Sequence, residues 1–428
     1  MRVARRRWYL RQFFRAGPHH LGTERGCTFV IINHCYDLDI DALCAADTPH
    51  TLWVVNPFAL FTDVHHYFAP DQIDLHAVYG VGAMAASIAR YKAAYITDLA
   101  RELRDRTHLD ALITPTDVAY YIRPLIEELR AIGIPTIVQD KEGTISPGAI
   151  MDDHAQVLSE RYPPISDQYY FWSEAHRDFW LRVGVPEERA FVLGQPRSDF
   201  FFHPDRWPSK ASLGLAEDKK VILAFTYDAD AYMRSTEPNP DRPWKTMRDD
   251  THAALRELAR ARADVEVVIK THPQQADLDE ILAEHSADPL PNVKLVMGAS
   301  QANHFMVRAD VIVGFQSTAM IEAMMTKTPV IYAGWGAVHD RASDTLIPIH
   351  RSGGCTVPRS LDDFRRLLAS GLDGGLRLSP AMLRARKAFT DSYFFDADGK
   401  AARRVLDHAA AFVTGKSPRR VASSRAAG

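Results

Sequence analysis

Residues 309–334, Ala309-Asp310-Val311-Ile312-Val313-Gly314-Phe315-Gln316-Ser317-Thr318-Ala319-Met320-Ile321-Glu322-Ala323-Met324-Met325-Thr326-Lys327-Thr328-Pro329-Val330-Ile331-Tyr332-Ala333-Gly334, read as strand, short loop, helix, turn and strand. Val311–Val313 is a compact β-branched run of the kind that fills a parallel strand buried on both faces. Gly314 ends that strand, and Ser317 or Thr318 stands where a helix cap is needed. Ile321, Met324 and Met325 fall on one face of the helix, and Pro329 restarts the chain as a second apolar strand, Val330–Ala333. Such a unit sets a helix N-terminus at the carboxyl edge of a parallel sheet. Free N–H groups and the helix dipole favour anions there, and open α/β sheets take their ligands along that edge. An ordinary βαβ unit with a Ser/Thr cap carries the same pattern, so the stretch speaks for the fold class before it speaks for a function.

Outward from it the same alternation recurs. In the second half, Val221–Thr226, Val265–Lys270 and Val293–Met297 read as strands, with helices over 249–262 and 301–308. In the first half, Cys27–Asn33, Leu52–Asn56, Asp110–Thr114, Ile134–Gln139, Tyr169–Ser173 and Phe191–Leu193 read as strands, and a helical period runs over 117–132. Gly80-Val81-Gly82-Ala83-Met84-Ala85 spells a dinucleotide-like GxGxxA, but the helix after it continues to about Arg106, so no strand ends in an acid at the required distance. The expected fold is α/β, with two doubly wound Rossmann-like domains and a cleft between them. The expected layout is a basic aromatic segment over 1–20, a first domain over 21–200 and a linker over 201–218. A second domain over 219–375, C-terminal helices over 376–414 and a disordered tail over 415–428 complete it.

Composition excludes several classes. The 428 residues, 46% of them hydrophobic, can bury substantial cores, and 51 Lys and Arg against 54 Asp and Glu leave a net charge of -3 with no sign of a nucleic-acid partner. Cys27, Cys35, Cys44 and Cys355 form no CxxC and no paired framework, which fits reduced thiols in a cytoplasmic protein. No apolar run approaches the roughly 18 residues a membrane helix needs, and no signal peptide is visible. His19-His20 and His65-His66 lack further ligands at useful spacing, so no metal site is expected. At the N-terminus Arg2, Arg5, Arg6, Arg7, Arg11 and Arg15 alternate with Trp8, Tyr9, Leu10, Phe13 and Phe14. Such a helix packs its aromatics on its own domain with its arginines in water, or lies on an anionic membrane; the first is favoured.

Three loops of the second half lie at strand carboxyl ends: Tyr227–Asp230, His272-Pro273 and Phe315–Thr318. An imidazole at His272 can bond a phosphate or, as a cation, offset charge on a departing one. Glu322 can accept from ribose hydroxyls or serve as a structural carboxylate. In the first half, Glu142 in a glycine-containing loop can take a proton from an attacking hydroxyl, with Asp140 as its competitor. Arg197 can pair with a phosphate or carboxylate, or act structurally.

Gln195-Pro196-Arg197-Ser198-Asp199, Lys270-Thr271-His272-Pro273, Ser317-Thr318 with Glu322 and Pro329-Val330-Ile331, and Asp398-Gly399-Lys400 with Arg403 form an ordered set. In order and spacing it resembles the bacterial surface-carbohydrate branch of GT-B glycosyltransferases over residues 110–410. That branch includes CDP-glycerol glycerophosphotransferase-like proteins and, more distantly, sialyl- and Kdo-transferases. The resemblance implies a nucleotide-activated sugar as co-substrate, held mainly by the C-terminal domain, an acceptor held by the N-terminal domain, and no metal or other cofactor. It implies donor binding by Gln195, Arg197, Lys270, His272, Gln316, Ser317, Thr318 and Glu322, and catalysis by Glu142, Asp140 and His272. Lys141 stands where a second acid is often found, and the His-Gly usual in CDP-glycerol transferases is missing, which leans away from glycerophosphate as donor. The expected activity is nucleotide-sugar-dependent glycosyl transfer, with a CMP-activated acidic sugar as one candidate donor, in building a capsule, lipopolysaccharide or teichoic-like surface polysaccharide. The acceptor is a glycan or lipid-linked glycan, with peripheral contact at the inner membrane left open. The rivals are a UDP-sugar 2-epimerase-like isomerase, a CDP-glycerol-type glycerophosphotransferase and a non-catalytic polysaccharide-assembly protein.

Overall fold

The computed structural model describes residues 2–34, 36–61, 64–73, 75–141, 148–229, 243–272, 275–298 and 301–415, with the side chains at 2–6, 149–150 and 243 outside the description. Among the described residues eleven strands form two parallel sheets. The first sheet contains β1 (Thr28–Ile32), β2 (Thr51–Val55), β3 (Ala111–Thr114), β4 (Thr136–Gln139), β5 (Gln168–Phe171) and β6 (Ala190–Val192), in the order β2-β1-β3-β4-β5-β6. The second contains β7 (Lys220–Phe225), β8 (Val265–Lys270), β9 (Val293–Val296), β10 (Val311–Gly314) and β11 (Val330–Tyr332), in the order β11-β10-β7-β8-β9. The strands are short and apolar because helices cover both faces. All four residues of β3, β4, β5 and β10 are buried.

Each sheet belongs to its own compact unit. In the first, one face packs Val30, Leu112, Leu125 and Leu129 together, and the other packs Ile31, Ile113, Val405 and Leu406. The helix Ala401–Val413 therefore completes the first unit although it is last in sequence. In the second unit, Ile222, Val267, Val311 and Ile331 pack against Leu255 and Phe364. The N-terminal helix, Arg2–Ala16, lays Leu10 and Phe13 into the first core, with Phe13 and Phe14 against Trp53. Among the described residues no helix is long and apolar enough to cross a membrane.

The strands begin and end within a residue or two of the expected positions, but two of the expected helices differ. The 117–132 period predicts a helix that starts at Arg123 instead. Asp117 is buried, and its carboxylate accepts the N–H groups of Ile165 and Ser166, each at 3.1 Å, and the Tyr169 hydroxyl. That network holds residues 117–122 as turns, and Pro124 suits a helical first turn. The helix placed over 249–262 runs from Pro243 to Ala261. Helices at Asp37–Ala45 and Ala149–Arg161 have no clear apolar stripe in the sequence. The GxGxxA segment opens a helix, Gly82–Tyr91, that passes through a π turn, Lys92–Ile96, into Thr97–Thr107.

Candidate functional site

Strand order decides where a ligand can sit. In the second sheet the chain runs outward from β7 to β8 and β9, then returns to the other side of β7 with β10. The switch point lies between β7 and β10, and loops leaving the carboxyl ends of such strands flank the binding crevice of an open α/β sheet.

Those loops are tied to one another. After β7, the Tyr227 ring lies 5.0 Å from that of Phe315, which follows β10. Asp228 Oδ2 accepts the Ala276 N–H at 3.0 Å, and Asp277 Oδ2 accepts the Ala229 N–H at 3.2 Å and an Arg248 guanidinium N–H. Gln275 Nε2 donates to Asp277 Oδ1 at 2.5 Å, and its Oε1 accepts the His272 N–H at 3.3 Å. The loop carrying His272 is thus joined to the loop after β7. His272 itself is exposed.

After β10 the chain turns closely into a helix, Thr318–Ala323. Gly314 belongs to the strand, and a Cβ there would come within 2.5 Å of Met320 Sδ, so a larger residue would require the Met320 side chain to shift. Ser317 caps the helix, its Oγ accepting the Ala319 N–H at 3.2 Å, and Thr318 is its first residue. Gln316 is buried. Its Nε2 donates to the Tyr332 hydroxyl at 2.8 Å and the Ile347 carbonyl at 3.0 Å, while its Oε1 accepts the Ile347 N–H at 2.8 Å. Both ends of this amide therefore hold the loop to β11 and to the chain beyond it. Glu322 is buried in the same helix. Lys270 is buried too. Its ammonium donates to the Thr271 carbonyl at 3.1 Å and to the Gly298 carbonyl, and burial lowers its pKa to about 8. Behind Tyr332 the His339 and His350 rings lie 4.9 Å apart, and burial lowers His350 to about 4.

In the first unit, Asp140 follows β4, is buried, and accepts the Trp180 indole N–H. Glu142 lies outside the described residues. Gln195 is buried after β6, with its carbonyl accepting the Ser198 hydroxyl at 2.6 Å. The Arg197 backbone N–H donates to Asp39 Oδ1 at 3.1 Å, its Nη1 stands 3.5 Å from Asp39 Oδ2, and its guanidinium lies 4.5 Å over the Trp172 ring. Arg197 and Asp140 thus belong to a buried polar layer at the carboxyl ends of β1, β4, β5 and β6. Lys270, His272, Gln316, Ser317, Thr318 and Glu322 all belong to the second unit; Gln195 and Arg197 belong to the first.

The first sheet switches between β1 and β3. There, His34 Nδ1 lies 2.7 Å from the Tyr121 hydroxyl, and the exposed Phe58 ring stands 6.1 Å from the imidazole. His34 was recognisable as a residue at a strand end. Tyr121, distant in sequence, carries no signal that would pair the two.

No curated protein matches the chain. Among solved structures, a UDP-N-acetylglucosamine 2-epimerase superposes with a TM-score of 0.55 at 15% identity, covering 94% of this chain and 99% of that one. The S. aureus MnaA–UDP co-structure gives 0.51 at 14% identity, covering 91% and 97%. At this identity the likeness is one of fold, the twin Rossmann-like GT-B kind. Residues 165–410 match the family described as CDP-glycerol:poly(glycerophosphate) glycerophosphotransferase, which is more than half of the chain. The chain belongs to that family.

Proposed function

We propose that this protein transfers a sugar from a nucleotide-activated donor to a hydroxyl of a glycan acceptor during surface-carbohydrate biosynthesis. The observation that carries this is the set of joined loops at the second unit's switch point, bearing His272, Ser317 and Thr318, inside the stretch that the family match covers. The same fold in a structure solved with UDP supports a nucleotide ligand.

In this reading the second unit holds the donor. His272 and the hydroxyls of Ser317 and Thr318 bond the nucleotide phosphate, and Lys270, Gln316 and Glu322 hold the loops from behind. Gln195 and Arg197 steady the first unit, which takes the acceptor. The acceptor oxygen forms the new bond to the anomeric carbon, and the bond from that carbon to the phosphate oxygen breaks. The leaving phosphate keeps the electron pair, and its charge is offset by His272. The hydroxyl proton passes to a base, Glu142 or Asp140.

The His34–Tyr121 pair favours a second arrangement of that last step. When Nδ1–H of His34 donates to the Tyr121 oxygen, Nε2 carries the lone pair that takes the proton. Family membership likewise favours a second donor, CDP-glycerol. The acceptor oxygen would then attack phosphorus and release CMP.

Purified protein incubated with CMP-, UDP-, GDP- and CDP-linked sugars and with CDP-glycerol, with and without a glycan acceptor, tests the proposal. Acceptor-dependent release of nucleotide from one sugar donor is expected. Release from CDP-glycerol alone would establish the second donor. Epimer formation without acceptor would favour an isomerase, and no turnover of any donor would favour an assembly protein that lacks transfer.

A further inference from the structure

The N-terminal helix Arg2–Ala16 has two unlike faces. Leu10 and Phe13 are buried in the first core, with Tyr9 and Phe14 half-buried beside them. Arg7, Trp8, Arg11, Gln12, Arg15 and Ala16 are all exposed. At about 100° per residue these six positions span roughly 180° of the helix, opposite the docked stripe. Residues 1–20 contain no Asp or Glu. Arg7, Arg11 and Arg15, one turn apart from one another, make no ion pair with any described residue. Trp8, 61% exposed, stands beside them. Like charges left unpaired beside an exposed indole suit a face that meets an anionic partner.

The helix leads directly to the first unit's switch point. The Tyr9 hydroxyl accepts the Asn56 N–H at 2.8 Å. Asn56 caps the helix Pro57–Leu60, its Oδ1 accepting the Ala59 N–H at 3.2 Å. Phe58 of that helix is 62% exposed, and its ring faces His34. One continuous run of contacts therefore joins a basic aromatic face to the His34–Tyr121 pair.

We propose that the face formed by Arg7, Trp8, Arg11 and Arg15 docks the protein on an anionic lipid bilayer. Three unpaired guanidinium groups complement lipid phosphates, and an exposed indole is suited to the headgroup layer. No described helix is long and apolar enough to span the bilayer; this one lies on it, held to the protein by Leu10 and Phe13. Docked in this way, the helix sets Phe58 and the mouth of the His34 crevice close to the lipid surface, where a lipid-anchored acceptor would present its hydroxyl. This last step rests on the transferase reading; the docking does not.

The full chain is mixed with vesicles of phosphatidylglycerol and phosphatidylcholine, or of phosphatidylcholine alone, and sedimented at low and high salt. The mixed vesicles are expected to retain the protein at low salt and release it at high salt. R7E/R11E/R15E should weaken that partition on the order of a hundred-fold, at about five-fold or more for each charge. W8A should weaken it at low salt. Thermal melts identify a variant that has lost its fold; in that case the salt dependence of the unaltered chain and W8A carry the test. Equal binding to both kinds of vesicle, unchanged partition of the folded triple variant, or tighter binding to duplex DNA than to the anionic vesicles would each overturn the proposal. The assay uses no donor, so its failure leaves the transfer reading standing, and failure of transfer leaves docking standing.

Discussion

The two sheets reverse strand order at comparable places, yet their switch points are furnished differently. At the second, polar side chains hold loops: Gln316 uses both ends of its amide, Asp228 and Asp277 fasten the His272 loop, and the Ser317 hydroxyl oxygen accepts the N–H that caps a helix. At the first, two titratable side chains, His34 and Tyr121, bond one another beside an exposed phenyl ring. A scaffold that presents fixed dipoles stabilises a charged leaving group without reorganising. An imidazole oriented by a hydroxyl suits proton transfer. The difference is between loops clamped by polar side chains and an imidazole bonded to a hydroxyl.

Substitution at the first place should chiefly affect rate. With His34 as the base, His34→Ala lowers transfer by about 10²- to 10⁴-fold while leaving the melting temperature nearly unchanged. Steady-state kinetics beside a thermal melt measure both. Tyr121→Phe should cost less and displace the pH–rate profile. Full activity of H34A would return the base to Glu142 or Asp140.

Substitution at the second should chiefly affect stability. Gln316→Ala leaves the Ile347 N–H and carbonyl and the Tyr332 hydroxyl without the amide, a loss of about 3 kcal/mol by urea denaturation. A loss below about 1 kcal/mol would mean that water replaces the amide and that the loop is not clamped.

Acid compares the units more evenly, because each contains a shielded imidazole, buried at His408 and half-buried at His350. His350 in the second and His408 in the first are both lowered by burial from 6.5 to about 4. Between those values the unfolded chain binds more protons than the folded one, so stability falls as pH drops from 6.5 toward 4. His350→Phe and His408→Phe should each flatten part of that slope in pH-dependent urea titrations. An unaltered slope in both would place the acid sensitivity elsewhere. Smallest is Ser317→Ala, which removes one cap bond from the helix Thr318–Ala323 and should cost about 1 kcal/mol in the same titration.

The sheets were legible in the sequence because a strand buried on both faces is an unbroken apolar run, as in Val311–Val313 or Val265–Ile269. The placement of His272, Ser317 and Thr318 at strand ends followed from the same runs. What the sequence could not display were partnerships over long separations. Nothing near Gln316 announces that Ile347 and Tyr332 occupy its amide, and nothing near His34 announces Tyr121. The helical period beginning at Asp117 is genuine, but bonds from Ile165, Ser166 and Tyr169 hold its first turns out of the helix.

The central claim is that the second unit's switch point holds the phosphate of a nucleotide. Calorimetric titration of the protein and of His272→Ala with CDP, CMP, UDP and GDP tests it most directly. The account predicts that one of these nucleotides binds and that H272A, folded by its melting curve, binds it at least about tenfold more weakly. Equal affinity in the folded variant, or no binding of any of the four, would contradict it.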